Sequence, residues 1–342
     1  MKKYIFILGR DFELSLLELV SFFNKKPIEY TKEIAIFELE NIGSEIIKKL
    51  GGCLKIGEVI DLENIELKNK IRYGISSYNP ELDIKKMLKK RFKEERIKSV
   101  LVKNVMPSRA KNLDLEIICY KDYIAKVIAV FNPSEYKFRD NNRPVNDFIK
   151  SISIRLAKIL INLSRNRGTL LDPFCGVGVL LQEAVLMDYS VIGVDLDNKS
   201  IQACNRNLKW IKDNYKIKSN FRVIKGNAKR IDFVGKVDSI VTEPYLGPYL
   251  RGKLNVNQVN KIINDLCILY SDFMKSSRKI LKSKMVIIIP KFRVGKKEMG
   301  FDFDKIIQEN KFKICNIFED IKLPVRYADE NKKIVREIYV LE

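Results

Sequence analysis

Short apolar runs alternate with longer segments of helical periodicity in the second half of the chain. This alternation predicts an α/β domain in which helices cover both faces of a mainly parallel sheet. A helix is expected to lead into the domain at residues 147–163. The last two predicted strands follow one another directly, so we expect one of them to insert antiparallel. The seven predicted strands are Thr169–Asp172, Ser190–Asp195, Phe221–Lys225, Ser239–Thr242, Met285–Ile289, Lys313–Phe318 and Ile334–Leu341.

The first half of the chain has the pattern of two smaller α+β units. The unit over residues 1–70 is predicted to contain strands and helices at 4–8, 13–23, 34–39 and 44–50. The unit over residues 71–131 is predicted to contain a basic helix among strands, at 73–78, 83–97, 99–102, 115–119 and 123–130. Asn132 and Pro133 mark a linker over 132–146, ahead of a catalytic domain over 147–342.

The composition excludes several kinds of catalytic chemistry. The chain has no histidine, which rules out a histidine base, a Ser-His or Cys-His nucleophile and a histidine-ligated metal. Its six cysteines are scattered without a Cys-x-x-Cys pair, so no metal site is expected. Such cysteines fit a reducing compartment, and no apolar run has the length of a membrane helix. We therefore expect a cytoplasmic protein with no membrane partner.

The net charge of +21 favours a polyanionic partner such as nucleic acid. An abundance of Lys, Ile and Asn together can also reflect nucleotide bias in a genome, so charge alone leaves both explanations open. The basic stretch Lys85–Lys93, with Arg96 and Lys98, could follow a phosphate backbone. For any single lysine of this stretch, a solvated helix face is the alternative.

A hydrophobic strand that runs into a glycine-containing turn is the strongest motif of the chain. It reads Leu170-Leu-Asp-Pro-Phe-Cys-Gly-Val-Gly-Val179, and Gly176 and Gly178 let the backbone approach a ligand closely. The motif matches neither the dinucleotide fingerprint nor the phosphate-binding loop of nucleotide hydrolases. At the end of the next strand, the Asp195 carboxylate could accept hydrogen bonds from both hydroxyls of a ribose. After the third strand, Asn227 could bond the edge of an adenine.

These three strand ends resemble the motifs of class I methyltransferases that modify exocyclic amino groups. The resemblance implies a Rossmann-like, seven-stranded fold with S-adenosylmethionine as cofactor. The turn would border the methionine part of the cofactor, and many relatives carry Asp in place of Asn227. The residues expected to bind the cofactor are Asp172, Pro173, Phe174, Cys175, Gly176, Gly178, Asp195, Leu196, Asn227 and Ala228.

The fourth strand ends in Glu243-Pro-Tyr-Leu-Gly-Pro248, where the same class carries an acid or amide, two prolines and an aromatic residue. An exocyclic amine is a poor nucleophile because its lone pair is delocalised into the ring. A side-chain oxygen and a backbone carbonyl that accept its N–H bonds localise and aim the lone pair. We expect Glu243 and the Pro244 carbonyl to perform this role, and Tyr245 or Tyr249 to supply the ring that stacks on the base. Glu243 replaces the usual Asp or Asn, and Tyr245 and Leu246 replace the second proline and the aromatic.

The segment Tyr136–Pro144 resembles the stretch that leads into the methylase domain of THUMP-containing tRNA guanosine N2-methyltransferases. Parts of residues 1–130 and the C-terminal Val335–Glu342 are also similar to that family. The resemblance implies a ferredoxin-like unit over 1–70, a THUMP-like RNA-binding unit over 71–131, and a tRNA substrate methylated at guanosine 10. Two alternatives stay open: methylation of adenine N6 in RNA or DNA, and an RNA-binding protein with an inactive methylase.

Overall fold

The structure of the chain is a computed structural model that describes residues 1–103, 105–107, 112–147, 151–166, 168–250, 255–328 and 333–342. The chain divides into two compact units, one of residues 1–16 with 24–141 and one of residues 17–23 with 142–342. Within the described ranges, no helix combines the length and hydropathy that a membrane-spanning segment requires.

The first unit is built on one mixed eight-stranded sheet, in the order β2-β3-β1-β4-β8-β7-β5-β6. Its strands are β1 (Lys2–Leu8), β2 (Glu29–Tyr30), β3 (Ile34–Leu39), β4 (Cys53–Val59), β5 (Lys70–Pro80), β6 (Lys98–Val102), β7 (Leu115–Lys121) and β8 (Tyr123–Val130). Helix α1 (Phe12–Phe23) contributes residues 12–16 to this unit and residues 17–23 to the second unit. The other α-helices of the first unit are α2 (Ile84–Glu94) and α3 (Pro133–Asn142), and short 3-10 helices lie at Ser44–Lys48 and Leu62–Asn64. The helix α3 lies where the sequence predicts a linker.

Strand β4 is absent from the sequence prediction and joins the strands of residues 1–70 to those of 71–131. It pairs antiparallel with both β1 and β8, so the two predicted units share one sheet. The charged residue Lys55 interrupts the apolar pattern of β4, although its side chain is buried. Its ammonium forms an ion pair with buried Glu116 and donates to the Val105 carbonyl at 2.9 Å. A buried charge of this kind is tolerated because it is paired, and a period-two pattern cannot reveal it.

The second unit has a sheet in the order β11-β10-β9-β12-β13-β16-β15, with β14 paired to β13. Its strands are β9 (Thr169–Asp172), β10 (Ser190–Asp195), β11 (Phe221–Lys225), β12 (Val237–Thr242), β13 (Leu281–Val294), β14 (Lys297–Met299), β15 (Val325–Tyr327) and β16 (Ile334–Leu341). Its α-helices are α4 (Ile154–Leu163), α5 (Val179–Leu186), α6 (Asn198–Tyr215), α7 (Val256–Arg278) and α8 (Phe303–Glu309), and a 3-10 helix lies at Asp232–Val234.

Strands β9 to β13 run parallel, and β16 pairs antiparallel with β13. The prediction of an α/β domain with an antiparallel insertion is therefore confirmed. The predicted strand at 313–318 is wrong, because this segment forms only two isolated bridges, Ile314 with Leu341 and Phe318 with Ile321. Cys315, Ile317 and Phe318 are buried, whereas Ile314 is 38% exposed, and the segment has no continuous ladder of strand pairing. The outer edge is formed instead by β15, which pairs antiparallel with β16.

Helix α4 begins at Ile154, later than the predicted start at residue 147. Ser153 caps it, with its hydroxyl accepting from the Leu156 N–H at 3.2 Å. A serine at this position satisfies one of the backbone donors that a helix start leaves unpaired. Residues 151–153 are therefore not helical, and residues 148–150 of the predicted helix lie outside the described residues.

One apolar core supports the part of the second unit that carries the predicted motifs. Buried residues of β9, β12, β13 and α7 contribute to it. Phe273 of α7 is fully buried and packs edge-to-face against Phe174 of the glycine-containing turn, with ring centroids 5.4 Å apart. The turn is therefore anchored on the core by a side chain that the motif itself supplies.

Candidate active site

The carboxyl ends of four adjacent parallel strands bring the predicted motifs together. Strand β9 lies between β10 and β12, so the chain leaves β9 towards one side of the sheet and later returns on the other. Ligands of open α/β sheets bind in the crevice at such a reversal, outside the carboxyl ends of the strands. Asp172 and Asp195 occupy the ends of β9 and β10, and Glu243 directly follows β12.

The turn after β9 depends on two glycines with left-handed backbone conformations. Gly176 has φ +51°, and a side chain there would point into open space. Gly178 has φ +83°, and a Cβ atom there would lie 2.5 Å from the Cys204 sulfur. Any larger residue at Gly178 would thus be strained twice, by its backbone angle and by this contact. The Cys175 N–H donates to the Val194 carbonyl at 3.0 Å, which ties the turn to β10.

Asp195 connects the end of β10 to the same turn. One carboxylate oxygen accepts from the Gly176 N–H and the other from the Asp197 N–H, each at 2.9 Å. A carboxylate has about four lone-pair positions, so these bonds leave acceptor capacity for a ligand hydroxyl. The side chain of Leu196 beside it is 67% exposed.

The end of β11 continues the row. The Gly226 N–H donates to the Asp195 carbonyl at 2.9 Å, so the third strand end lies against the second. The Asn227 side-chain oxygen accepts from the Lys229 N–H at 3.0 Å, and Asn227 is exposed. The side-chain oxygen of Asn227 is thus engaged in a local turn. Ala228 is buried under this turn.

Asp172 is a buried carboxyl at the centre of the row. Its Oδ1 accepts from the Thr242 hydroxyl at 2.7 Å and from the Phe174 N–H at 3.2 Å. Burial raises the pKa of Asp172 to about 7, with a further upward contribution from the charges of Asp195 and Glu243. The two hydrogen bonds oppose this rise only in part. A carboxyl that titrates near neutral pH at strand ends is typical of functional sites.

Asp172, Glu243 and the glycine-containing turn line one small cavity of about 50 Å³. Ser151 and Ile152 line the same cavity, and sequence reasoning missed both. Among the described residues, the buried Ser151 hydroxyl finds no hydrogen-bond partner. A buried polar group without a partner is rare in a folded protein and suits a site that a ligand completes. No group of metal-binding side chains is found in the part of the chain that the structure describes.

Glu243 forms an ion pair with Arg336 of β16, with 2.5 Å between Oε1 and the guanidinium Nε. The sequence contains no local signal for this pair, because the partners lie on strands that are distant along the chain. The loop after Glu243 is exposed at Tyr245 and Tyr249, whose exposed fractions are 53% and 72%. The buried Tyr270 hydroxyl donates to the Tyr245 carbonyl at 3.4 Å and thereby fixes the backbone of the loop.

Asn207 of α6 bonds to Val177, a residue that lines the cavity, and sequence reasoning did not identify it. It is fully buried, and its Nδ2 donates to the carbonyls of Val145 and Val177 at 2.9 Å each. Its Oδ1 accepts from the Val145 N–H at 2.9 Å. One amide side chain therefore ties the segment before α4 to the glycine-containing turn, with three of its four hydrogen-bonding positions used.

A family model described as UPF0020, the RMKL-like methyltransferase domain, matches residues 143–314, which is half of the chain. The chain belongs to this methyltransferase family. The matched region contains the strand ends that carry Asp172, Asp195 and Glu243. The resemblance of these motifs to methyltransferases is thus confirmed.

Two curated relatives and one solved structure extend the comparison. A tRNA (guanine(10)-N2)-dimethyltransferase of Pyrococcus abyssi strain GE5 is 26% identical over 65% of this chain, which covers 59% of that protein. A probable tRNA (guanine(10)-N2)-dimethyltransferase of Methanothermococcus thermolithotrophicus is 36% identical over 37% of this chain and 82% of its own length. The crystal structure of TrmN from Thermus thermophilus aligns over 99% of both chains, with a TM-score of 0.53 and 13% identity. This last likeness is one of fold. The chain covers less than two thirds of the Pyrococcus protein.

Titration of Asp172 gives a test of the site's electrostatics. The folded carboxyl keeps its proton up to about pH 7, whereas an unfolded Asp releases it near pH 3.9. The folded state therefore holds more protons in this window, and this group lowers the free energy of unfolding as the pH rises. Asp172→Asn should remove this pH dependence. The free energy of unfolding of the variant, relative to that of the wild type, should therefore increase by roughly 4 kcal/mol between pH 4 and 7 and then level off.

The measurement is urea unfolding of both proteins across this pH range. Asp238→Asn serves as the control, because the Thr169 N–H keeps the pKa of Asp238 below its ordinary value. The stability difference for this control should be flat between pH 5 and 8. An equally flat difference for Asp172→Asn would show that Asp172 is ionised throughout.

Proposed function

We propose that the chain is an S-adenosylmethionine-dependent methyltransferase that modifies the N2 amine of guanosine in tRNA, at position 10. The observation that carries the proposal is the meeting of the glycine-containing turn, Asp195 and Glu243 at adjacent strand ends. The names of the two curated relatives support the substrate class, a tRNA guanine N2 amine.

The residues around the cavity fit the proposed cofactor. Gly176 has open space where a side chain would project, so the cofactor can approach the backbone. Asp195 would hold the ribose hydroxyls, the Asn227 amide would donate to the adenine, and Leu196 would pack on it. The unpartnered Ser151 hydroxyl would bond the methionine part, near Asp172 and the residues Pro173 to Gly178. When bound, S-adenosylmethionine supplies an electrophilic methyl group.

The protein's contribution to the reaction is to hold and activate the target amine. Glu243 Oε2 and the Pro244 carbonyl would accept its two N–H bonds, which localises the nitrogen lone pair towards the methyl group. Tyr245, which is half exposed beside Glu243, would stack on the base. Because both acceptors are fixed before the base arrives, little reorganisation is needed in the transition state.

We further propose that the first unit captures the RNA, with its ferredoxin-like part over 1–70 and its THUMP-like part over 71–131. The helix α2 buries Ile84, Leu88 and Phe92 and exposes a row of lysines on its other side. Arg91 is not part of this surface, since its Nη2 donates to the Ile65 carbonyl at 2.7 Å. The exposed lysines Lys86, Lys89 and Lys93 follow each other at helical spacing and match a phosphate backbone.

The direct test is transfer of a labelled methyl group to unmodified total tRNA, followed by nucleoside analysis. The proposal requires label in N2-methylguanosine or N2,N2-dimethylguanosine, and mapping of the intact labelled tRNA should place it at position 10. Label in N6-methyladenosine would favour the adenine alternative. Tight tRNA binding without any transfer would favour the inactive RNA-binding protein.

Asp195→Ala should weaken binding of S-adenosylhomocysteine by about 1.5–3 kcal/mol, the scale of hydrogen bonds to a charged group. Calorimetric titration measures this change. Asp197→Ala is the matched control, because Asp197 caps α6 through the N–H groups of Lys199 and Ser200. The control should leave the affinity unchanged. Equal affinities of the wild type and Asp195→Ala would remove Asp195 from the cofactor site.

Replacing Lys86, Lys89 and Lys93 together by Gln should weaken tRNA binding and flatten its dependence on salt. Each lost phosphate contact should lower the slope of log affinity against log salt by about 0.7–0.9. Fluorescence anisotropy at several salt concentrations gives both quantities. A triple Gln variant of Lys209, Lys261 and Lys305, exposed lysines of the second unit, removes the same charge as a control. Identical slopes for the two triple variants would contradict RNA capture by α2.

Glu243→Ala should lower the single-turnover rate of methyl transfer by about 100-fold, comparable with loss of a transition-state hydrogen bond. Cofactor affinity should change little, since the glycine-containing turn is intact. Glu243→Gln keeps an acceptor oxygen without the charge and should lie between Ala and the wild type. Wild-type rates for Glu243→Ala would eliminate Glu243 as the amine acceptor.

A further inference from the structure

Arg336 and Glu243 meet across an intervening strand. Glu243 follows β12, and Arg336 lies on β16, with β13 between them. In the register of β13 and β16, Arg336 lies opposite Pro290. Neighbouring strands are about 4.8 Å apart, so the two backbones are separated by roughly 10 Å. Only long side chains can bridge this gap, and the contact is made at 2.5 Å between Oε1 and Nε.

The length of Glu243 matters for this contact. The corresponding position of exocyclic-amine methyltransferases is expected to be Asp or Asn, which has one methylene less. A side chain shortened by one carbon–carbon bond would end about 1.5 Å further from the guanidinium. Glu243 and Arg336 are therefore a matched pair, in which the unusual residue of the motif is explained by its partner.

The environment of the pair favours a fixed geometry. The side chains are mostly buried, with exposed fractions of 11% for Glu243 and 22% for Arg336. Glu243 also lines the cavity that contains Asp172, so two carboxyl groups face the same small space. The positive charge of Arg336 compensates the carboxylate of Glu243 beside Asp172. A guanidinium is permanently charged and planar, and it holds a carboxylate in one orientation better than a lysine does.

We propose that Arg336 is a positioning residue for methyl transfer, holding Oε1 of Glu243 so that Oε2 points to the target amine. The inference rests on the proposed role of Glu243 as the amine acceptor. Arg336 acts through Glu243 and needs no contact with the substrate. Its loss should therefore slow the chemical step and leave the binding of cofactor and tRNA nearly unchanged.

A double-mutant cycle tests this coupling, with single-turnover methyl transfer to tRNA as the readout. Arg336→Gln should lower the rate on the order of 10- to 100-fold, the scale of an approximately 1 Å misplacement. Arg336→Lys keeps the charge without the planar donor group, so its rate should lie between those of Arg336→Gln and the wild type. In the Glu243→Gln background, Arg336→Gln should cause little further loss, since the carboxylate that it orients is already absent. Affinities for S-adenosylhomocysteine and tRNA should stay within about twofold of the wild type.

The surface pair of Arg326 and Glu298 provides a matched control. It joins the same residue types at 2.5 Å, on β15 and β14 rather than at the cavity, and Arg326 is 53% exposed. Arg326→Gln should therefore transfer methyl groups at the wild-type rate. If Arg336→Gln folds poorly, the Arg336→Lys variant completes the same cycle with Glu243→Gln.

The outcomes separate this inference from the function on which it rests. An inactive wild-type chain would overturn the proposed function and this role of Arg336 with it. An active wild type with Arg336→Gln and Arg336→Lys at full rate would overturn the positioning role alone. Independent losses that multiply in the double variant would do the same, because they would show that Arg336 does not act through Glu243.

Discussion

The hydrogen bond between the Gly176 N–H and the Asp195 carboxylate is the contact on which the rest of the site depends. It joins the turn after β9 to the end of β10, and the Gly226 N–H then joins the end of β11 to Asp195. On the other side, the Thr242 hydroxyl ties the end of β12 to Asp172. Four strand ends are thus connected by polar contacts above one apolar core. This arrangement requires a tight turn after β9. Only glycine fits at position 178 of this turn without strain.

Much of the second unit could be predicted because its signals are local. Short apolar strands ending in Asp172 and Asp195 are read directly from the period of the side chains. The prediction failed where an apolar segment is buried without pairing as a strand, and where a paired strand contains a buried charge. The segment at 313–318 is apolar and partly buried but forms only isolated bridges, to Leu341 and Ile321, whereas β4 carries buried Lys55 and still lies inside a sheet. An apolar pattern predicts that a segment is buried, but burial alone does not specify which strand it pairs with.

The side chains that complete the site could not be found in the same way. Asn207 lies in a helix whose sequence shows nothing unusual, yet it bonds Val145 and Val177 in the fold. Ser151 is a single serine ahead of a capping serine, and its role depends on the cavity that it lines. Arg336 gives the strongest sequence signal of the three, since it interrupts an apolar terminal strand. Its partner nevertheless depends on the order of strands, which no local pattern contains.

The charges of Asp172, Glu243 and Arg336 influence one another. Burial raises the pKa of Asp172 to about 7, and the charge of Glu243 contributes to this rise. Arg336 keeps Glu243 paired, so that the cavity holds one compensated carboxylate and one carboxyl that can be neutral at neutral pH. A cationic ligand placed between them would favour the ionised form of Asp172, because an opposite charge lowers the pKa of a carboxyl. Entry of such a cation would therefore increase the negative charge of the site, whereas without it the neutral Asp172 carboxyl does not repel the Glu243 carboxylate.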